Sequence, residues 1–125
     1  MQDYILILLV KSNDGFEKLV ISRDKLVIGN RNLSIDDLTT VIGEITDHVR
    51  IEKYSGSDKL GEEVLPMGRI TFKFKNGEEI TGEAVNPFVK LEELIIKLNL
   101  NYRDKGLPRF RVVESSVNRI VYSRG

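Results

Sequence analysis

The sequence predicts an α+β protein, mainly antiparallel β-sheet with one amphipathic helix, and three observations carry that prediction. Short apolar runs alternate with turn residues through the first third of the chain. Ile70, Phe72 and Phe74 alternate with Thr71, Lys73 and Lys75 up to an Asn76-Gly77 pair. One later stretch, opening at Asn86-Pro87, repeats apolar residues at helical spacing. Period two belongs to a strand with one buried face, and steps of three and four belong to a helix.

The strands come first. Tyr4 to Val10 is rich in Ile, Leu and Val, and Ser12-Asn13-Asp14-Gly15 after it is a turn cluster. Leu19 to Ser22 and Leu26 to Gly29 are two further apolar runs. The charged triplet Arg23-Asp24-Lys25 between them reads as a tight turn, and Asn30-Arg31-Asn32 reads as another. Strands at this spacing form an antiparallel meander. Residues 34–49 carry mixed signals. Ser34 with Asp37 resembles a capping box, and Leu38, Val41, Ile42, Ile45 and Val49 share one helical face. Against a helix stand Gly43 and the β-branched Thr39, Thr40, Val41, Ile42, Ile45 and Thr46. The balance predicts a short helical turn at Ile35 to Leu38 running into a strand.

His48 to Tyr54 follows as a strand candidate. Residues 55–63, with Gly56 and Gly61 and little that could pack, are expected to form a mobile loop. Asn76-Gly77 predicts a two-residue type I′ turn joining the alternating strand to Glu78–Thr81, because both central residues of that turn need positive φ. In the helix, Asn86 is the expected N-cap and Pro87 the first residue. Phe88, Leu91, Leu94, Ile95 and Leu98 mark its buried face, and it should end near Asn99. Asn101 to Pro108 reads as a connector. Arg109–Val113 and Val117–Tyr122 read as late strands around Ser115-Ser116.

Composition narrows the function classes. The 125 residues suit one domain, and the 41% hydrophobic and 30% charged content is that of an ordinary globular chain. With no cysteine, disulfides, thiolate metal sites and thiol nucleophiles are excluded. Nineteen basic residues cancel nineteen acidic ones, so no overall field draws a polyanion. Ile5 to Val10 is too short to span a bilayer, and Asp3 stands where a secretory leader carries basic residues. A cytoplasmic location is expected. The start at Met1 and the lack of repeats suggest that little has been trimmed.

His48 is the only histidine, which excludes histidine pairs and multi-histidine metal sites. The acidic pairs Asp36-Asp37, Glu62-Glu63, Glu78-Glu79 and Glu92-Glu93 are adjacent in sequence, and neighbours on a strand point to opposite faces. They do not converge as an acid/base couple needs. No phosphate-binding glycine motif and no nucleophile elbow occurs. No catalytic residue, cofactor or metal is therefore expected, and the balance leans away from an enzyme.

Charge is the uneven property. Residues 101–125 hold Arg103, Lys105, Arg109, Arg111, Arg119 and Arg124 against Asp104 and Glu114, a net +4, which leaves −4 for residues 1–100. Tyr102, Phe110 and Tyr122 are interleaved. The six cations and Tyr122 are the candidate ligand or partner contacts.

The order of elements resembles the pleckstrin-homology-like fold, in particular its small bacterial members. The stretches that carry the resemblance are Ile21 to Gly29, Leu33 to Val41, Arg69 to Glu79 and Pro87 to Asn99, within about residues 4–100. It implies a bent β-sandwich or partly open barrel with the helix plugging one end. Domain 1–125 would then comprise a core over 1–100 and a basic C-terminal extension over 101–125. Members of that family bind lipid headgroups or peptides, or act as scaffolds. This chain departs from the pattern in continuing past the helix and in having no tryptophan.

Three functions remain. The first is a protein-interaction module whose partner is another protein or a second copy of the chain. The second is a binder of an anionic ligand, a lipid headgroup or nucleic acid, through the basic C-terminal segment. The third is a small enzyme of unrecognised type using Asp36, Asp37 or His48. Whether the C-terminal segment packs on its own domain decides much of this, because its apolar content is too high for a solvated tail. Home packing with a free β-edge is the expectation.

Overall fold

The computed structural model describes residues 4–12, 15–22 and 24–125. Asn13 and Asp14 of the first turn cluster, and Arg23 of the charged triplet, lie outside the described residues. The described chain forms β1 (Tyr4–Ser12), β2 (Gly15–Ser22), β3 (Lys25–Ile28), β4 (Arg31–Ser34), a 3-10 turn (Ile35–Asp37), β5 (Leu38–Ser55) and β6 (Asp58–Phe74). There follow β7 (Glu79–Val85), α1 (Pro87–Asp104), β8 (Arg111–Ser115) and β9 (Arg119–Ser123). The mainly antiparallel α+β architecture with one late helix and extra C-terminal strands is borne out. The strands form one open sheet in the order β4-β3-β2-β1-β7-β6-β5-β9-β8, with β4 and β8 at its edges.

Alternation sets the buried face. Leu19 and Ile21 of β2, Leu26 and Ile28 of β3, Ile70, Phe72 and Phe74 of β6, and Ile80 and Ala84 of β7 all point to one side. They join Leu91, Leu94, Ile95, Leu98 and Tyr102 of α1 in a single core. Strands far apart in the sheet order share that core, so the sheet curves around the helix. Gly43 lets the helix come close: a Cβ there would lie 2.9 Å from a methyl of Leu91 and 3.2 Å from one of Ile120.

The mixed segment is a short turn running into a strand, as expected, but the capping box of Ser34 with Asp37 is not what closes the turn. The Ser34 hydroxyl accepts a hydrogen bond from the Asp36 amide at 3.2 Å, closing the 3-10 turn, and the β-branched run then continues as β5. The C-terminal segment packs at home. β9 pairs with β5 from Thr40↔Ser123 to Glu44↔Arg119, and Phe110, Val121 and Tyr122 are buried.

The late strands lie one or two residues further on than expected, at Arg111–Ser115 and Arg119–Ser123, with the turn at residues 116–118, and five further local expectations need correction. The Asn76-Gly77 turn is not type I′: only Gly77 has positive φ, at 87°. The Gly77 amide donates to Phe74 and the Phe74 amide to Glu78, so the loop is a three-residue turn with Gly77 at its left-handed position. Second, the turn read at Asn30-Arg31-Asn32 sits one residue earlier, at Gly29-Asn30, and Arg31 already pairs with Ile28. Third, Asn86 precedes the helix in a left-handed conformation, φ 50°, and its side chain makes no capping bond. Fourth, α1 runs on from Asn99 to Asp104, because Tyr102 continues the buried face. Gly106, φ 70°, ends it: the Gly106 amide donates to Arg103 and the Leu107 amide to Tyr102, the paired bonds of a Schellman cap. Fifth, residues 55–63 are not a loop. Only Gly56 and Ser57 turn, and Asp58 onward is strand.

That last correction changes the shape of the molecule. β9 flanks β5 only as far as Glu44, and β7 flanks β6 only from Met67. Beyond those points β5 and β6 continue as a bare two-stranded ribbon, paired from His48↔Pro66 to Ser55↔Asp58. At about 3.3 Å per residue this arm projects about 25 Å. It starts at a bulge between Ile45 and Asp47, which bends the strand, with Gly68 pressed against the Glu44 carbonyl.

Candidate functional site

The basic C-terminal residues do not act as one patch, because packing divides them. Arg124 is built into the fold. Its Nε donates to the Pro108 carbonyl at 2.8 Å, and its Nη1 donates to the carbonyls of Asp36 and Leu38 at 3.0 and 2.7 Å. Its guanidinium lies 3.7 Å from the centre of the Tyr102 ring. The Tyr102 hydroxyl in turn donates to the Ile35 carbonyl at 2.6 Å. Burial above all pushes the Tyr102 phenol up, the Asp36 charge adds to this, and Arg124 opposes it. Together Arg124 and Tyr102 latch the end of the chain to the 3-10 turn and the helix.

Other cations are paired. Lys105 meets Asp36 at 3.1 Å. Arg119 bridges Glu114 at 3.2 Å and Glu44 at 3.4 Å. Glu44 also accepts from Arg69 at 3.2 Å. That hydrogen bond, with the charges of Arg69 and Arg119, holds its carboxyl below the usual range despite some burial. Tyr122 is buried between Val41 and Val112 in the sheet, and burial followed by the charge of Glu92 pushes its phenol up.

Three cations remain together. Arg103, Arg109 and Arg111 line a groove of about 620 Å³ with Ile96, Asn99, Leu100 and Phe110. No carboxylate lines it. Arg103 makes only an exposed 3.5 Å contact with Asp104. Arg109 and Arg111 have no ion pair among the described residues. One wall is the outer face of the C-terminal half of α1, where Ile96 and Leu100 are exposed. The other is the strand entering β8. Asn99 pins the walls together: its side-chain amide donates to the Phe110 carbonyl at 3.1 Å and accepts from the Phe110 amide at 2.7 Å. At Arg111 the groove meets β8, an edge strand whose residues are all exposed, Val112 and Val113 among them.

The arm is the second unusual surface, and periodicity could not reveal it because neither of its faces is buried. Val49, Ile51, Tyr54, Leu60 and Val64 are exposed on it, Leu60 by 69%. An unsupported two-stranded hairpin is marginal in water. Cross-strand pairs such as Lys53–Glu63 at 3.0 Å and Arg50–Glu62 at 3.6 Å are exposed and add little. His48 lies on this arm opposite Pro66, ten positions along β5 from Leu38. It is therefore as much as about 30 Å from Asp36 and Asp37 and shares no site with them.

Among the described residues, no helix is long and apolar enough to cross a membrane. No family model, curated protein or solved structure matches the chain.

Proposed function

We propose that this protein is a non-enzymatic interaction module that binds an extended, acidic and apolar polypeptide segment along the arginine groove and the free edge of β8. The single observation that carries the reading is the grouping of Arg103, Arg109 and Arg111 around an apolar floor, beside unpaired strand backbone. Edge backbone supplies main-chain hydrogen bonds to an added strand, the apolar walls take its side chains, and the guanidinium groups favour carboxylates. The division of the cations supports a peptide over nucleic acid or a lipid surface. Lys105, Arg119 and Arg124 are held by the protein itself, which leaves three clustered charges. That is a small set for binding dominated by phosphate contacts. The element order up to the helix supports reading residues 1–100 as a pleckstrin-homology-like core, with β8 and β9 as an addition that supplies the docking edge.

The test is fluorescence anisotropy with a labelled peptide alternating glutamate and valine, against a lysine–valine control, anionic lipid vesicles and single-stranded DNA. The expected result is saturable binding of the acidic peptide alone, weakened by Arg109→Glu with Arg111→Glu. Binding of vesicles or DNA in its place would move the reading to the anionic-ligand class.

A further inference from the structure

We infer that the segment occupying this groove is the β5–β6 arm of a second copy of the chain, so that two copies exchange arms across a two-fold axis. The inference rests on the groove reading above and adds the identity of the partner. Three observations lead to it.

The first is chemical fit. Residues 47–65 carry a net −2: Glu52, Glu62 and Glu63 meet Arg50, Lys53 and Lys59 within the arm, which leaves Asp47 and Asp58 to face the arginines among the exposed apolar residues. The groove offers the complement: three arginines, no carboxylate, and the apolar Ile96, Leu100 and Phe110.

The second is need. Every residue from Thr46 to Leu60 is exposed, so this outer part of the ribbon buries nothing at home. Its large side chains, Tyr54 and Leu60 at the tip, contribute to stability only when another surface covers them.

The third is geometry. The register places arm and groove at opposite ends of the sheet. Thr40 pairs with Ser123, and Ser123 with Arg111, at the groove end; Glu44 pairs with Arg119, where the arm departs. The helix runs the same way, with Phe88 and Leu91 beside Gly43 and Tyr102 beside Ile35. An arm leaving one end cannot fold back into the groove at the other, so the contact is between copies. Two copies laid antiparallel bring each arm to the other's groove, a self-complementary arrangement that closes at two. One face of a ribbon about 25 Å long and about 10 Å wide covers about 250 Å². Two such contacts, counted on both partners, bury about 1,000 Å², the threshold of a specific interface. The dimer is accordingly a concentration-dependent one.

The experiment is sedimentation velocity over a concentration series on the full chain and two variants. In one, residues 51–63 are replaced by an Asn-Gly turn, which removes the arm and leaves the groove. In the other, Arg109→Glu with Arg111→Glu spoils the groove and leaves the arm. Melting curves check that both bodies are folded, and Tyr54→Ser with Leu60→Ser serves as a milder arm variant. The full chain should dimerise. Each variant should raise the dimer dissociation constant by roughly thirty-fold or more. Mixing the arm-less and groove-spoiled chains should give a one-to-one heterodimer, tighter than either variant alone and weaker than the full-chain dimer, because one arm then finds one intact groove where the full chain has two. A chain that stays monomeric at every concentration, or an arm-less chain that still dimerises, overturns the inference. So does a dimer indifferent to the arginine reversals. A monomeric chain that binds the glutamate–valine peptide would remove arm exchange and leave the groove reading standing. A chain that neither dimerises nor binds that peptide would remove both.

Discussion

Gly68 is where the structure has no room for a single additional carbon. It faces Ile45 across the β5–β6 pair, at the bend from which the arm departs. A Cβ at this position would overlap the Glu44 carbonyl oxygen, lie 2.8 Å from the Glu44 carbonyl carbon and 3.0 Å from the Ile45 Cα. All three are backbone atoms, so no rotamer change relieves the overlap, and the strands must separate. Overpacking of this kind costs about 1–3 kcal/mol. Losing one or two ladder hydrogen bonds at the bend adds about 1 kcal/mol each. Gly68→Ala should therefore destabilise by about 2–5 kcal/mol. Gly61 is the internal control: it lies on the same strand, a Cβ there meets nothing within 4 Å, and its φ is not positive. Gly61→Ala should be neutral or stabilising by up to about 1 kcal/mol. Urea unfolding followed by circular dichroism compares the two. Equal midpoints for Gly68→Ala and Gly61→Ala would refute the close approach at the bend.

Leu94 is 1% exposed in the core, so Leu94→Ala should cost about 2–5 kcal/mol in the same assay, while exposed Glu92→Ala should be nearly silent. Tyr102→Phe removes the hydrogen bond to the Ile35 carbonyl and leaves that acceptor without its partner, a loss of about 1–3 kcal/mol. Glu44 has a folded pKa below its unfolded value, so its contribution is present above the ordinary carboxylate range and is lost as pH falls through the folded value. Thermal melts of wild type and Glu44→Gln across acidic pH should converge as pH drops; a constant gap would contradict the Arg69–Glu44–Arg119 cluster.

Local signals carried much of the fold because many elements announce themselves within a few residues. Ile70, Phe72 and Phe74 alternate because one face of β6 is core, and Leu91, Leu94, Ile95 and Leu98 repeat because α1 covers that core. The turn at Ile35 was legible because Ser34 closes it two residues away. What stayed hidden depends on partners remote in sequence. Residues 58–63 look like a loop because both faces of the arm are solvated, and only their register with Lys53, Glu52 and Ile51 makes them a strand. The six C-terminal cations look alike in sequence. Arg124 separates from Arg109 and Arg111 only when the carbonyls of Asp36 and Leu38, 88 and 86 residues away, come within its reach. The helix end was misplaced because Asn99 suggests a stop, whereas Gly106 supplies the left-handed residue that makes one.

If the groove, the β8 edge and the arm form one functional surface, backbone amide exchange measured residue by residue will report all three as a unit. At low protein concentration, exchange should be fast along the arm, through residues 47–65, and along β8, with slow exchange confined to the core strands and α1. Raising the concentration should slow the arm and β8 together, and Arg109→Glu with Arg111→Glu should abolish that slowing in both. Arm and β8 amides that exchange at the same rate at every concentration, or an arm that becomes protected while β8 does not, would contradict it.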